Sequence, residues 1–245
     1  MVGRSGCVIL GTAMTALQAL LTRIVDYAGL YPPASLSLEE TCANYEQYLH
    51  SGDEWMLNRL VLPLPKLRLG DGWRISLLVD AEPGPQPPQV ETFETKLTHQ
   101  LSLPTYCEAP VQTIQSGFAK MRLGGETIPT SQQVACFLQA AAARRLPFKA
   151  TAGLHHPIRA VMHGFLNVFT AAAFAWHGAD ESLLVDILDD ESIRSFEFSD
   201  SEMRWSGRPL SVEQIGAARC DFAHSFGSCS FEEPLADLRE LELLP

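Results

Sequence analysis

The sequence predicts an α/β protein whose strands form a single (β/α)₈ barrel of the TIM type. Three observations favour this fold class. About eight strand-like apolar runs recur along the 245 residues, helical segments separate several of them, and no linker rich in serine or glycine divides the chain. Strands that alternate with helices are typical of a parallel sheet. A complete barrel takes about 250 residues, so one barrel accounts for the whole length.

The predicted strands are short runs of β-branched, aromatic and other apolar residues. Seven of them cover residues 24–31, 59–64, 74–80, 90–98, 105–111, 118–123 and 148–154. The eighth is less well defined and lies at either 184–188 or 195–198. We expect the first seven strands to run parallel in one sheet.

Helical segments are recognised by their start signals and apolar spacing. The segment 37–50 opens with a capping box, in which Ser37 is followed three residues later by Glu40. The segment 131–145 has Thr130 or Ser131 as its N-cap. Further helices are predicted over residues 14–24, 162–176, 212–224 and 235–241.

The ring of helices is expected to be incomplete. A turn at 68–72 and four prolines within 83–88 leave no room for a helix after the second and third strands. We therefore predict shortened or missing helices at these two places. Residues 1–13 are expected to form a loose extension, and residues 14–245 a single domain with a C-terminal loop at 225–234 and a short final helix.

Composition and charge exclude several classes of protein. The chain is 46% hydrophobic and 19% charged, which excludes intrinsic disorder, and it lacks a run of about 20 apolar residues that could span a membrane. Its formal charge of −11 disfavours a broad attraction to nucleic acid or anionic lipid. The six cysteines are scattered without metal-site spacing, so we expect six free thiols in a cytoplasmic protein.

Charged residues alternate with apolar ones on four successive predicted strands. The residues on the charged faces are Glu94, Lys96, Glu108, Lys120, Arg122 and Lys149. Because the outward face of a helix-covered parallel barrel is apolar, we expect these side chains to point into the barrel mouth. Three of the four lysines of the chain lie on these strands. Charges buried without partners are costly, so the pattern predicts a charged pocket.

Two lysines on neighbouring strands suggest nucleophilic catalysis by a lysine amine. A partly desolvated lysine close to other cations loses proton affinity, and its neutral amine becomes a nucleophile toward a carbonyl group. We expect this for Lys120 and Lys149, with Lys120 as the nucleophile and Lys149 in a tuning and proton-transfer role. Glu108 is the expected general acid and base.

The remaining candidates are expected to bind the substrate. Arg122 and the backbone of Gly124 and Gly125 are suited to a carboxylate or phosphate group, because loops after late barrel strands often hold such groups. Asp26, Glu94, Lys96, His155 and His156 are placed at the same mouth. The partner predicted by this hypothesis is a small anionic molecule, and no cofactor or metal is required; the oligomeric state is left open.

Five segments carry a resemblance to a known family. They are Asp26-Tyr-Ala-Gly-Leu-Tyr-Pro-Pro-Ala, Ala119-Lys-Met-Arg-Leu-Gly-Gly, Pro147-Phe-Lys-Ala-Thr-Ala-Gly-Leu-His-His-Pro, His163-Gly-Phe-Leu-Asn-Val-Phe and Ser225-Phe-Gly-Ser-Cys-Ser-Phe. Across residues 14–244 the chain resembles a family of uncharacterised bacterial proteins, whose members have fuller helices near 68–72 and 83–88. The resemblance implies membership but no reaction.

A second likeness, at the level of the fold alone, is to deoxyribose-phosphate aldolase and related class I aldolases. In those enzymes the lysine of the sixth strand forms the Schiff base and that of the seventh strand tunes it. The resemblance implies these roles for Lys120 and Lys149.

Three hypotheses of function follow. The first is a lyase resembling the aldolases that uses the barrel lysines on an anionic carbonyl compound. The second is a metal-dependent hydrolase or isomerase that uses Glu94, Glu108, His155 and His156. The third is a non-catalytic binding or scaffold protein, in which the charged network only stabilises the barrel.

Overall fold

The computed structural model describes residues 14–245, and its largest element is a closed barrel of eight parallel strands. In chain order the barrel strands are β1 (Val25–Tyr27), β2 (Leu57–Pro63), β3 (Ile75–Leu78), β4 (Val90–Thr95), β5 (Thr105–Cys107), β6 (Phe118–Arg122), β7 (Phe148–Thr151) and β11 (Ala223–Ser228). The sheet closes because β1 pairs in parallel with both β11 and β2. The predicted barrel is therefore confirmed, as is the parallel arrangement of the first seven strands.

The prediction of the eighth strand is wrong. Residues 184–188 lie in a helix, and 195–198 contribute to a separate antiparallel sheet of β8 (Phe196–Phe198), β9 (Glu202–Trp205) and β10 (Arg208–Ser211). The eighth barrel strand is β11, which begins in the last two residues of the helix predicted over 212–224 and continues into the loop expected at 225–234. Serine and glycine have low strand propensity, which explains why a strand of sequence AHSFGS was missed.

All α-helices of the described residues except the fifth lie where the sequence predicts a helix. The α-helices are α1 (Ala16–Leu21), α2 (Leu38–Tyr48), α3 (Ser131–Ala143), α4 (Phe165–Trp176), α5 (Glu181–Asp189), α6 (Val212–Asp221) and α7 (Glu232–Glu240). Ser37 and Glu40 form the predicted capping box of α2, and Thr130 forms another with Gln133 at the start of α3. Phe165 of α4 stacks on Phe226 of β11, so this helix packs directly against the outside of the barrel.

The ring of helices is incomplete over half of the barrel. Residues 64–117 are all described and contain no α-helix, only single 3₁₀ turns at Leu64–Lys66 and Val111–Thr113. The helices predicted to be missing after the second and third strands are absent, and those after the fourth and fifth strands are absent too. Loop residues such as Leu67, Leu97 and Leu103 pack against the core on this side instead.

The cysteines differ from the expectation. Cys42, Cys107, Cys136 and Cys229 are free thiols, but Cys220 is disulfide-bonded, so the prediction of six free thiols is wrong. Spacing along a sequence does not show which cysteine Cα atoms lie within the roughly 7 Å that a disulfide needs. Because disulfides are rare in the cytosol, the cytoplasmic location remains a prediction without support from the cysteines. Cys7 and the expected extension at 1–13 lie outside the described residues.

Among the described residues, no helix has both the length and the apolar character needed to cross a membrane.

A partly buried histidine on the last barrel strand is held neutral. His224 Nδ1 lies 2.8 Å from the Tyr106 hydroxyl, and its Nε2 lies 3.2 Å from the carbonyl oxygen of Cys220. Because the carbonyl can only accept, Nε2 donates and Nδ1 accepts from Tyr106. Burial, together with the nearby cations of Arg59 and Arg219, lowers the pKa of His224 to about 3.

This arrangement predicts a pH-dependent stability. The unfolded histidine binds a proton below about pH 6.5 whereas the folded one does not, so stability is lost as the pH falls. We expect His224 to account for a loss of about 2 kcal/mol in the free energy of unfolding between pH 7 and pH 5. His224→Gln should lose less over this range, and exposed His50→Gln should behave as the wild type. Urea unfolding at both pH values tests this, and equal losses for His224→Gln and wild type would contradict it.

Candidate active site

The two interior lysines lie side by side on neighbouring strands. Lys120 of β6 and Lys149 of β7 are direct Cα partners in the parallel pairing, as are Arg122 and Thr151 two residues further on. Identical register places both lysine side chains at the same height inside the barrel. The alternation seen in the sequence therefore locates the charged pocket correctly.

A single carboxylate joins the two lysines. Glu94 Oε2 lies 3.0 Å from Lys120 Nζ, and its Oε1 lies 2.6 Å from Lys149 Nζ. The Ser76 hydroxyl donates a hydrogen bond to Glu94 Oε1 over 2.6 Å. Burial alone would raise the pKa of Glu94, but the ammonium groups of Lys149 and Lys120 outweigh it and hold the pKa well below its usual range. Glu94 is therefore an anion at any physiological pH.

Asp26 of β1 closes the network on the far side of Lys149. Its fully buried carboxylate accepts from Lys149 Nζ, from Ser225 Oγ at 2.8 Å and from Asn58 Nδ2 at 2.7 Å. The backbone N–H of Arg59 donates to the same group over 3.2 Å. Four donors satisfy this buried anion, as a charge removed from water requires.

The prediction that the proton affinity of Lys149 is lowered is wrong. Its side chain is only 1% exposed, and burial alone would lower its pKa. The carboxylates of Asp26 and Glu94 outweigh burial and raise the pKa instead. Lys149 is therefore held as an ammonium ion, which cannot act as a nucleophile.

Lys120, Glu108 and Arg122 form the outer part of the network. Glu108 Oε2 lies 3.0 Å from Lys120 Nζ, and its Oε1 lies 3.1 Å from Arg122 Nε. Burial of Glu108 is outweighed by these two cations, so its pKa lies below the usual range. The Arg122 side chain is 52% exposed, which leaves part of its guanidinium free to meet a ligand.

Two cavities open at this end of the barrel. The smaller, of about 510 Å³, is lined by residues that include Lys149, Thr151 and His155, and the larger, of about 900 Å³, by residues that include Lys96 and Glu108. Five residues line both cavities: Tyr31, Leu78, Glu94, Lys120 and Arg122. Lys120 is therefore reached from both sides, and a cavity of this size is typical of a small-molecule site.

The other predicted residues occupy different positions around the mouth. Lys96 is exposed on the wall of the larger cavity, and Gly125 lines the smaller one. Gly124 is instead buried against Gly153, where a Cβ atom would lie 2.8 Å from the Gly153 Cα. Gly153 itself has a φ of +75°, a conformation that favours glycine.

The two adjacent histidines pair with the C-terminal helix. His155 Nδ1 lies 3.0 Å from Glu233 Oε2, and His156 Nδ1 lies 2.6 Å from Asp237 Oδ2. His155 still lines the smaller cavity, whereas His156 does not contribute to either cavity wall. Within residues 14–245, no three histidine, cysteine or acidic side chains are grouped closely enough to hold a metal. The metal-dependent alternative thus has no ligand set in the described chain.

Several residues of the site were missed from the sequence. Asn58 and Ser76 occupy inward positions on β2 and β3, and Ser225 does so on β11. A single polar residue in an otherwise apolar strand is the signal that could have identified Ser76. Asn58 lies just before the strand predicted over 59–64 and is followed by Arg59, so it carried no such signal. Ser225 carried no such signal because its segment did not resemble a strand.

Comparisons with family models, curated proteins and solved structures find no match to the chain. The fold and the site define an α/β barrel with a charged pocket at the ends of its strands. The resemblance to the uncharacterised bacterial family stays an expectation.

The buried network predicts that Lys149 contributes far more to the free energy of unfolding than the exposed Lys96 does. Lys149→Met leaves Asp26 and Glu94 without their shared cation, and removal of one partner from a buried ion pair costs about 3–5 kcal/mol. Lys96→Met, on the exposed cavity wall, should change the free energy of unfolding by less than about 0.5 kcal/mol. Chemical denaturation of both variants tests the difference. Equal stability of the two variants would mean that Lys149 contributes nothing to the network.

Proposed function

We propose that this barrel is a lyase that forms a Schiff base between Lys120 and a small anionic carbonyl compound. The observation that carries the proposal is the position of Lys120, whose Nζ lies 3.0 Å from both Glu94 and Glu108 and lines both cavities. Lys120 contacts two carboxylates, as Lys149 does, but it lines both cavities, and one of its carboxylates, the partly exposed Glu108, stands at the cavity wall where it can accept the proton. Lys120 is therefore the interior lysine that we assign as the nucleophile.

The first step is recognition of the anionic group of the substrate. Arg122 stands half-exposed at the junction of the cavities, and its guanidinium can form paired hydrogen bonds with a carboxylate or phosphate. A ligand that takes Arg122 from Glu108 removes one of the two cations that lower the pKa of Glu108. Glu108 thereby becomes a stronger base when substrate binds.

The second step is activation of the amine. The Lys120 ammonium gives a proton to Glu108, with which it is in contact, and the neutral amine attacks the carbonyl carbon. Loss of water yields a protonated iminium ion. This ion carries the same charge as the original ammonium, so the Glu94 carboxylate keeps a cationic partner in the intermediate.

The third step is cleavage of a carbon–carbon bond. Glu108, returned to its ionised form, removes the proton from the β-hydroxyl group of the substrate. The bond between the α and β carbons breaks, an aldehyde leaves, and the electron pair moves into the iminium to give an enamine. Glu108 returns its proton to the enamine carbon, and hydrolysis of the resulting iminium by water releases the second product and restores the Lys120 ammonium.

The roles of the other network members follow from their contacts. Lys149 is a positioning residue, because its 1% exposed side chain holds Glu94 beside Lys120. The strand positions support the likeness to class I aldolases, since Lys120 lies on the sixth barrel strand and Lys149 on the seventh.

Reductive trapping tests the proposal. With borohydride and either pyruvate or glyceraldehyde, we expect an adduct on the peptide that contains Lys120, found by mass spectrometry. Lys120→Arg should abolish the adduct although the charge is kept, and Lys96→Arg should leave it unchanged. Absence of an adduct with any small aldehyde or keto acid would contradict the proposal and favour a purely structural network.

A second variant tests the binding of the anion. Arg122→Gln should lower the affinity for pyruvate by about 10- to 100-fold, the value of a hydrogen bond to a charged group. The affinity for uncharged glyceraldehyde should change by less than about twofold, within the effect of a surface substitution. The concentration dependence of trapping gives both values. An equal loss for the two compounds would show that Arg122 does not recognise the anionic group.

A further inference from the structure

Tyr31 stands where the two cavities meet. It lies in the loop after β1 and is one of the five residues that line both cavities, together with Lys120 and Glu94. Tyr31 is the last residue of the strand predicted over 24–31 and was not among the predicted site residues.

The Tyr31 hydroxyl is buried and has no hydrogen-bond partner among the described residues. Buried hydroxyl groups normally have a partner, so an unpaired one at the wall of a cavity indicates a ligand. The other buried side-chain atoms in this condition belong to Thr41, Gln89 and Arg219, and none of these residues lines either cavity.

Among the five residues that line both cavities, Tyr31 is also the one that has a neutral proton-donating group. Of the other four residues common to both cavities, Glu94 is an anion, Lys120 and Arg122 are cations, and Leu78 has no polar group. Burial, followed by the charge of Glu94, raises the pKa of Tyr31 to about 12, whereas the charge of Lys120 acts in the opposite direction. The phenol therefore keeps its proton at neutral pH and lies within electrostatic reach of the reacting amine.

We infer that the Tyr31 hydroxyl donates a hydrogen bond to the carbonyl oxygen of the substrate that reacts with Lys120, and protonates this oxygen when it leaves as water. The inference rests on the proposed Schiff-base chemistry and adds the acid that this chemistry requires.

The protons balance through the step. The Lys120 amine bonds to the carbonyl carbon and passes one proton to the oxygen, which gives a neutral carbinolamine. Tyr31 then donates its proton to the hydroxyl group, the C–O bond breaks and water leaves, while the nitrogen lone pair forms the C=N bond of the iminium. The phenolate recovers the proton that Lys120 gave to Glu108, so no net proton is consumed.

The test compares two reagents on the same lysine. Pyruvate must lose its oxygen to be trapped by borohydride, whereas methyl isothiocyanate adds to an amine without loss of water. In Tyr31→Phe we expect the rate of pyruvate trapping on Lys120 to fall about 100-fold, as for loss of a general acid. The rate of isothiocyanate labelling should stay within about twofold of wild type, as after a substitution that leaves the chemistry intact. Tyr48→Phe, outside both cavities, is the matched control and should change neither rate.

Three outcomes would overturn the inference. Trapping in Tyr31→Phe at the wild-type rate would show that the hydroxyl takes no part. An equal loss with both reagents would show that Tyr31 controls only access to Lys120. Absence of a wild-type adduct with pyruvate and with every other small aldehyde or keto acid would overturn the proposed Schiff-base chemistry itself, and with it this role for Tyr31. This result is distinguished from the first two because it appears already in the wild type.

Discussion

The site depends on one carboxylate held between two ammonium groups. Glu94 contacts Lys120 through one oxygen and Lys149 through the other, and it is almost completely buried. A charge in such a position is costly unless each of its neighbours compensates it. This constraint fixes the distance between β4, β6 and β7 at the height of the site, and it divides the two lysines into one that is locked and one that can react.

The compensation continues through the whole barrel. From the mouth inward, the ion pairs form a chain. Arg122 pairs with Glu108, and Glu108 pairs with Lys120. Glu94 pairs with both Lys120 and Lys149, and Lys149 pairs with Asp26. Asn58 then links Asp26 to Arg74, which forms an ion pair with Glu91. Each charge in this polar interior has a partner of opposite charge or a hydrogen-bond donor, which offsets the cost of its burial. Apolar contacts are concentrated outside the strands, where helices cover one half of the barrel and loops cover the other.

The sequence predicts most of this arrangement because strand alternation has a period of two and is insensitive to exact boundaries. Lys120, Arg122 and Lys149 were placed correctly for this reason. The charge state of Lys149 was not predictable, because it depends on Asp26 from a strand 123 residues away along the chain. The strand β11 was missed because Ser225, which contacts Asp26, and Gly227, which lines the smaller cavity, both have low strand propensity.

The chain contains four lysines, so their Nζ signals can be resolved by nitrogen NMR and assigned with single arginine variants. A pH titration of the Lys149 signal tests most directly whether two carboxylates hold this group as an ammonium. We expect Lys149 to keep its proton above the ordinary lysine pKa of about 10.4, because Asp26 and Glu94 outweigh burial. Loss of the proton well below that pH would mean that the two carboxylates do not hold Lys149 as an ammonium, and Lys149 would then be the neutral amine and Lys120 the group that tunes it.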